Sequence, residues 1–164
     1  MATRNMHGSG DAGRTDLPGG GRVPKTHPRI RFFAALDELS CRMGAARAIA
    51  CPPLCREAET LLPRFQQALF LLAAPCMGEC AKRLKAEQRF LDAKTAELEK
   101  KLPPLRKFVL PGNNQADAAL HCARAACRTC ELLAWALPDG AAPAVYLNRL
   151  SSCLFALARL SSNK

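Results

Sequence analysis

The chain has 164 residues, 49% of them hydrophobic and 23% charged, a balance that excludes a disordered chain; at about 100–200 residues per domain it makes one domain plus a tail. Its longest uninterrupted apolar stretch, Ala68 to Pro75, is far short of the roughly 18 residues that cross a bilayer, so no transmembrane helix is expected. Lys and Arg number 24 against 14 acids, a net charge of +10, which marks a binder of anions without choosing among nucleotide, nucleic acid and anionic membrane.

Residues 1–29 hold Gly8, Gly10, Gly13, Gly19, Gly20 and Gly21 with Pro18, Pro24 and Pro28, a density that forbids a regular helix and predicts a loop-like arm. The start of the chain lacks an apolar signal core, and Asp11 and Asp16 stand among its arginines, unlike an acid-poor transit peptide. From Ile30, the residues Phe32, Leu36, Leu39, Met43 and Ala46 recur at steps of three and four, one face of a helix ending before Pro52-Pro53. A second helix is predicted over Leu61 to Ala73, with Leu62, Phe65, Leu69 and Leu72 inward and Pro75 beyond its end. Cys80 to Leu102 reads as a charged amphipathic third helix stopped by Pro103-Pro104. After the turn at Phe108–Gly112, Asn113-Asn114 can cap a fourth helix from about Gln115 to Leu137. The fifth, about Pro143 to Leu160, carries the seam Leu147, Leu150, Leu154 and Leu157. No alternating β-branched run of strand length stands out. The expected class is all-α: a five-helix up-and-down bundle over 30–164, preceded by a glycine-rich arm over 1–29.

Within the fourth helix, Asp117, His121, Arg124, Arg128, Glu131 and Trp135 fall on one face, with Ala119, Cys122, Ala126 and Leu133 expected as its apolar back. Two arginines one turn apart repel unless an anion lies between them, and the planar guanidinium fork suits phosphate. An ordinary solvated face of paired charges is the plainer reading. The glycines and Thr15 of the arm add backbone N–H groups and a hydroxyl, although neither P-loop spacing nor a dinucleotide fingerprint is present. Nine cysteines, without the spacing of a secreted disulfide framework, fit reduced thiols in a cytoplasmic or organelle-matrix protein. The pairs Cys51/Cys55, Cys76/Cys80 and Cys127/Cys130 lack the partner set of a structural zinc site and read as small core residues. His121 reads as a hydrogen-bonded interface residue.

Taken in order, these pieces resemble the PduO-type ATP:cob(I)alamin adenosyltransferases over nearly the whole chain. The resemblance is carried by Ser9-Gly-Asp11-Ala-Gly13-Arg-Thr15, Gly21-Arg22-Val23-Pro24-Lys25, Leu36-Asp37-Glu38-Leu39-Ser40 and Gln66-Gln-Ala-Leu69-Phe70. It continues through Leu102-Pro-Pro-Leu105, Phe108-Val-Leu-Pro111-Gly112, Leu120-His121-Cys-Ala-Arg124 with Arg128 and Glu131, and Leu147-Asn148-Arg149-Leu150-Ser151. The family implies a homotrimer with ATP between subunits, and transfer of the 5′-deoxyadenosyl group of ATP to the cobalt of cob(I)alamin with release of triphosphate.

By the same resemblance Gly10, Asp11, Gly13, Thr15 and Lys25 hold the triphosphate, and Arg124, Arg128, Glu131 and Asn148 complete the nucleotide site. Arg124, Arg128 and Glu131 are thereby the catalytic candidates. Asp37 pairs with Arg124 across a subunit boundary, Phe108 packs on the lower face of the corrinoid, and Mg²⁺ accompanies the phosphates. By spacing alone Phe108 reads as a core residue before a turn. An adenosylcobalamin-dependent enzyme or a corrinoid reductase would be the protein partners, in the cytoplasm or, in a eukaryote, the mitochondrial matrix. The chain departs from the family pattern at Met6-His7-Gly8, Ser9, Ala34, Thr129, Leu132 and Ser152, with two arginines lost from the fourth helix. Two other classes stay open: a non-catalytic corrinoid carrier on the same fold, and a basic nucleic-acid module. The latter lacks a stacking platform, since aromatics are 5% of the chain.

Overall fold

The computed structural model describes residues 8–49, 56–73 and 78–162. Five helices follow a short hairpin: α1 (Pro28–Ile49), α2 (Arg56–Leu69), α3 (Glu79–Glu99), α4 (Gln115–Trp135) and α5 (Ala141–Ser162). α4 is the middle of the bundle, packed between α1 and α5, with α3 laid on α5 and α2 on α1. The apolar faces expected of the first, second and fifth helices are the core: Phe32, Leu36, Leu39, Met43 and Ala46 meet Leu62, Phe65, Leu69 and Leu72, and the α5 seam Leu147, Leu150, Leu154 and Leu157 is buried throughout. α3 contributes Leu84, Leu91 and Leu98, one every second turn, so a truncation such as Leu91→Ala costs about 2–5 kcal/mol.

The arm is not all loop. Arg14–Asp16 (β1) and Arg22–Pro24 (β2) pair antiparallel with Thr15 opposite Val23. Three-residue strands are too short to show alternation, and the pairing is set by the turn between them. Gly20 N donates to Leu17 O at 2.9 Å, with Pro18 and then Gly19 at φ +72° in the middle, the backbone of a type II turn.

Helix ends shift for local reasons. α1 starts at Pro28, a residue suited to the first helical position, with His27 Nδ1 accepting from Arg29 N at 3.2 Å. α2 begins five residues earlier than the apolar pattern, its first turn carrying Glu57 and Glu59 at the positive end of the helix dipole. Pro63 lies inside α2, and the carbonyl it leaves without an amide belongs to the exposed Glu59. α2, α3 and α4 each finish two or more residues before the expected limit, in tight turns such as Leu102 N to Glu99 O and Leu137 N to Ala134 O. α5 instead runs longer at both ends. The expected stops at Pro52-Pro53 and Pro75 lie outside the described residues.

Between α4 and α5 the turn admits only glycine at position 140. A Cβ there would sit 1.7 Å from Ala134 O, an overlap with backbone that no side-chain rotation relieves.

Candidate functional site

In the arm, Asp11 N donates to Gly8 O and Gly13 N to Gly10 O, both at 3.1 Å, two successive tight turns. The second ends with Gly13 at φ +70°, the left-handed region where only glycine is unstrained. Lys25 N then donates to Gly13 O at 2.8 Å, which closes the hairpin and brings the lysine side chain back over the first turn. The ammonium lies so close that a Cβ on Gly10 would be 2.8 Å from Lys25 Nζ. Arg14 and Arg22 brace the same hairpin through each other's carbonyls, and Arg22 also bonds Ser9 O and pairs with Asp16. The structure thus gathers Gly10, Gly13, Thr15 and Lys25, with Asp11 exposed beside them.

The α4 stripe divides into two halves. Its N-terminal half is buried, Asp117 at 0% and His121 at 3% exposure, which corrects the expectation of a uniformly polar face. The apolar back is corrected too. Ala119, Ala126 and Leu133 are only half-buried and Cys122 is exposed, whereas Leu120, Ala123, Cys127, Cys130 and Ala134 face the core. The true inward line is one residue over, because α4 is gripped by both α1 and α5 and that pair of contacts sets its rotation.

In the other half, Arg128 is exposed and Glu131 half-buried, and among the described residues neither side chain makes a hydrogen bond or ion pair. Arg124 is half-buried between them and His121. Its Nε donates to His121 Nδ1 at 3.2 Å, and its guanidinium carbon lies 5.9 Å from the Phe155 ring centre. Beyond them Leu132 and Trp135 are 71% and 56% exposed.

Asn148 is exposed on α5, in a groove of about 220 Å³ shared with Asp92, Glu99 and Arg149. Ser152, one of the family departures, lines the same groove. Thr129 is exposed on α4 and bonds only its own helix, Oγ1 to Ala125 O, and Ala34 is exposed on α1. Asp37 is exposed on α1 at the rim of a small pocket with Phe33, Gln66 and Phe70. Among the described residues it forms no ion pair with Arg124, and the hydrogen bonds and ion pairs of residues 8–25 stay within the arm. Among the described residues, one chain therefore brings the arm residues together and the stripe residues together, but does not bond arm, Asn148 and stripe to each other.

Phe108 is 99% exposed, which rules out the core reading that its spacing favoured. It stands on the stretch from Pro103 to Asn113, beside a cleft of about 610 Å³ lined by Leu105, Arg106, Lys107, Leu110 and Arg159. The Arg159 guanidinium bonds Pro103 O at one end of this stretch. At the other, Asp117 takes the amides of Gly112 and Asn113. The sequence placed Asp117 on the stripe without this role. The available signal was its position in the first turn of a helix whose cap, Asn114, accepts from Asp117 N at 2.8 Å.

Burial is the largest influence on Asp117 and would raise its carboxyl. The bonds from Ser162, Gly112 and Asn113, with His121 nearby, outweigh it and hold the group below its ordinary value. His121 is pushed down, first by burial and further by Arg124, against the pull of Asp117. Of the cysteines expected as core residues, Cys127 and Cys130 are buried, as is Cys153, whereas Cys80 is half-buried; Cys41 and Cys122 are exposed. Cys127 Sγ donates to Leu147 O at 3.2 Å, and burial pushes Cys130 up to about 12 and Cys153 to about 11, which leaves them as unreactive thiols. Cys51, Cys55 and Cys76 lie outside the described residues.

A family model described as cobalamin adenosyltransferase matches residues 6–161. The corrinoid adenosyltransferase PduO of Citrobacter freundii is 37% identical over 163 residues, covering 92% of this chain and 48% of the relative. The chain thus spans about half the length of this relative. The corrinoid adenosyltransferase of Mycobacterium bovis is 34% identical over 174 residues, covering 98% and 89%. Among solved structures, a variant PduO-type ATP:corrinoid adenosyltransferase from Lactobacillus reuteri, complexed with cobalamin and ATP, superposes with a TM-score of 0.81 at 25% identity, covering 98% of this chain and 91% of that one.

Proposed function

This chain belongs to the cobalamin adenosyltransferase family, and from that premise we propose that it transfers the 5′-deoxyadenosyl group of ATP to the cobalt of a reduced corrinoid. The observation that carries the proposal is Phe108, a large apolar ring held wholly in solvent on a stretch anchored at both ends. A ring so placed is built to meet an apolar surface from outside the chain. The flat lower face of a corrinoid fits that description, and covering it would exclude water and competing ligands from the metal.

Cobalt(I) is the nucleophile, so no base is needed to activate a side chain. The metal's electron pair forms the cobalt–carbon bond to C5′ as the C5′–oxygen bond breaks, and that bond's pair leaves on triphosphate. What the protein supplies is alignment and positive charge at the departing group. Lys25 supplies it from the arm, beside the backbone turns of Gly10 and Gly13, with Thr15 and Asp11 completing that end. Arg128 supplies it from α4, free of any partner within the described chain that would compete with phosphate. Glu131 offers acceptors and Asn148 both a donor and an acceptor to the nucleoside. Mg²⁺, when bound with the nucleotide, would help to neutralise the charge that develops on the departing triphosphate.

Among the described residues, arm and stripe stay unbonded within one chain, and this favours a site completed by a neighbouring copy, with Asp37 of one subunit meeting Arg124 of another in a trimer. Exposed Leu132, Trp135, Ile49 and Phe70 supply apolar surface for such contacts. On this reading the arm, 1–29, is the nucleotide clasp and 30–164 the bundle that positions it. No helix among the described residues is long and apolar enough to cross a membrane, and the thiol chemistry suits a reducing cytoplasm.

The test is direct. Protein mixed with chemically reduced cobalamin, ATP and Mg²⁺ is expected to produce the absorption spectrum of adenosylcobalamin with one triphosphate per turnover. Corrinoid binding without ATP consumption would overturn the enzyme in favour of a carrier. Sedimentation at three times the chain mass is expected for the assembly.

A further inference from the structure

The buried Asp117 carboxylate collects donors from two separate segments. Oδ2 accepts from Gly112 N at 2.6 Å and from Asn113 N at 3.0 Å. Oδ1 accepts from Ser162 Oγ at 2.6 Å, at the last turn of α5, and stands 3.3 Å from His121 Nε2. The residue's own amide is fixed by the Asn114 cap. A carboxylate in the first turn of a helix ordinarily faces solvent and interacts with the helix end alone. This one reaches back over the cap into the preceding stretch.

His121 extends the chain of contacts. Arginine only donates, so the bond from Arg124 Nε makes Nδ1 the acceptor and assigns the imidazole proton to Nε2. Nε2 lies 3.3 Å from Asp117 Oδ1, within ion-pair range, and has no hydrogen-bond partner among the described residues. Phe155 closes the imidazole from the side, its ring centre 5.9 Å away. The order of contact is therefore Arg124, His121, Asp117, then the backbone of Gly112 and Asn113.

Between Pro103 and Asn113 the backbone forms no helix or strand. It is pinned at Pro103 by Arg159 and at Gly112–Asn113 by Asp117, with Phe108 near the midpoint. We propose that Asp117 is a positioning residue: a single buried carboxylate fixes the stretch that presents Phe108 and, through His121, the direction of Arg124. The proposal rests on the adenosyl transfer inferred above, in which Phe108 serves the corrinoid and Arg124 the nucleotide side. It means that one group sets the placement of both substrates.

Asparagine at 117 keeps the size but replaces one acceptor oxygen by a donor, so either the loop amides or Ser162 and His121 face an N–H. Asp117→Asn is expected to raise the KM for corrinoid about tenfold and that for ATP about threefold. His121→Phe, which removes only the Arg124 branch, is expected to raise the ATP KM alone. In a Phe108→Ala background the corrinoid effect of Asp117→Asn should vanish, because a tether has nothing left to place. A corrinoid effect of unchanged size in that background would overturn the proposal, since general destabilisation adds where positioning does not.

A measurement on the unmodified protein guards against an Asp117→Asn chain that fails to fold. Amide exchange at Gly112 and Asn113 is expected to be about 100-fold slower than at Lys107 and Phe108. Exchange at the Gly112 and Asn113 amides as fast as at Lys107 and Phe108, in a protein that makes adenosylcobalamin, would overturn the tether. Protected amides in a protein that makes none would overturn the reaction reading instead, and the positioning role with it.

Discussion

The arm and the fourth helix both carry cations for the same proposed ligand, and they are built in opposite ways. The arm is glycine backbone stiffened by a three-residue ladder, with the hydrogen bonds and ion pairs of residues 8–25 kept within it and most side chains in solvent. α4 is gripped on two sides by α1 and α5, and its polar stripe begins in a buried network before it emerges at Arg128. A ligand has to order the first and finds the second already in place. Substitutions should therefore separate: in the arm they change ATP affinity, in the packed turn that follows α4 they change stability, at Asp117 and His121 they change how the substrates are placed, and at Arg128 they change turnover alone.

The largest effect is expected from breaking the rigid half. Gly140→Ala forces a Cβ into the Ala134 carbonyl, and a loss of more than about 4 kcal/mol, read as a urea midpoint or as failure to accumulate folded protein, should follow. Next is Arg128→Ala, with kcat down by at least about 100-fold and a Tm unchanged within about 1 °C. A large fall in Tm would mean that the exposed end of the stripe is structural after all.

The arm should give smaller and purely ligand-linked effects. Lys25→Ala is expected to raise the ATP KM about tenfold without moving the Tm. Gly10→Ala displaces the ammonium at the flexible end of its side chain, so a rise of about threefold is expected. Loss of stability in either variant would erase the contrast with α4.

The smallest effect is on the pH dependence of stability. His121 has a folded pKa below its ordinary 6.5, so between those two values the unfolded chain binds more protons and folding stability falls as pH drops. Asp117, held below its ordinary 3.8, adds a similar loss at lower pH, as its carboxylate is protonated. Tm should decline from pH 7 to pH 5, and His121→Phe should flatten that decline.

Much of this was legible in the sequence because it depends on period alone. The inward faces of the first, second and fifth helices follow from steps of three and four, and a buried Leu has no other partner than its neighbours. What depends on the joint grip of two partners was not legible. The inward line of α4 lies one residue from the expected one because α1 and α5 together set its rotation. The β1–β2 pair escaped because three residues carry no alternation. Phe108 was legible only through its resemblance, since spacing cannot tell a ring facing the core from one facing solvent. Asp117 and His121 were visible as members of a stripe but not as a buried relay. Burial of a charge is decided by its donors, and those come from Gly112, Asn113 and Ser162, two of them in a stretch without periodicity.

The last turn of α5 has its own lesson. Asn114 Nδ2 donates to Ser161 O at 2.7 Å, and Ser162 donates to Asp117, so the far end of the fifth helix doubles as the latch of the Phe108 stretch. A fluorophore placed at that end of α5 would lie beside the latch and brighten or dim as the aromatic ring engages its target. It would turn that end of the bundle into a reporter of docking at the cleft that Ser162 lines.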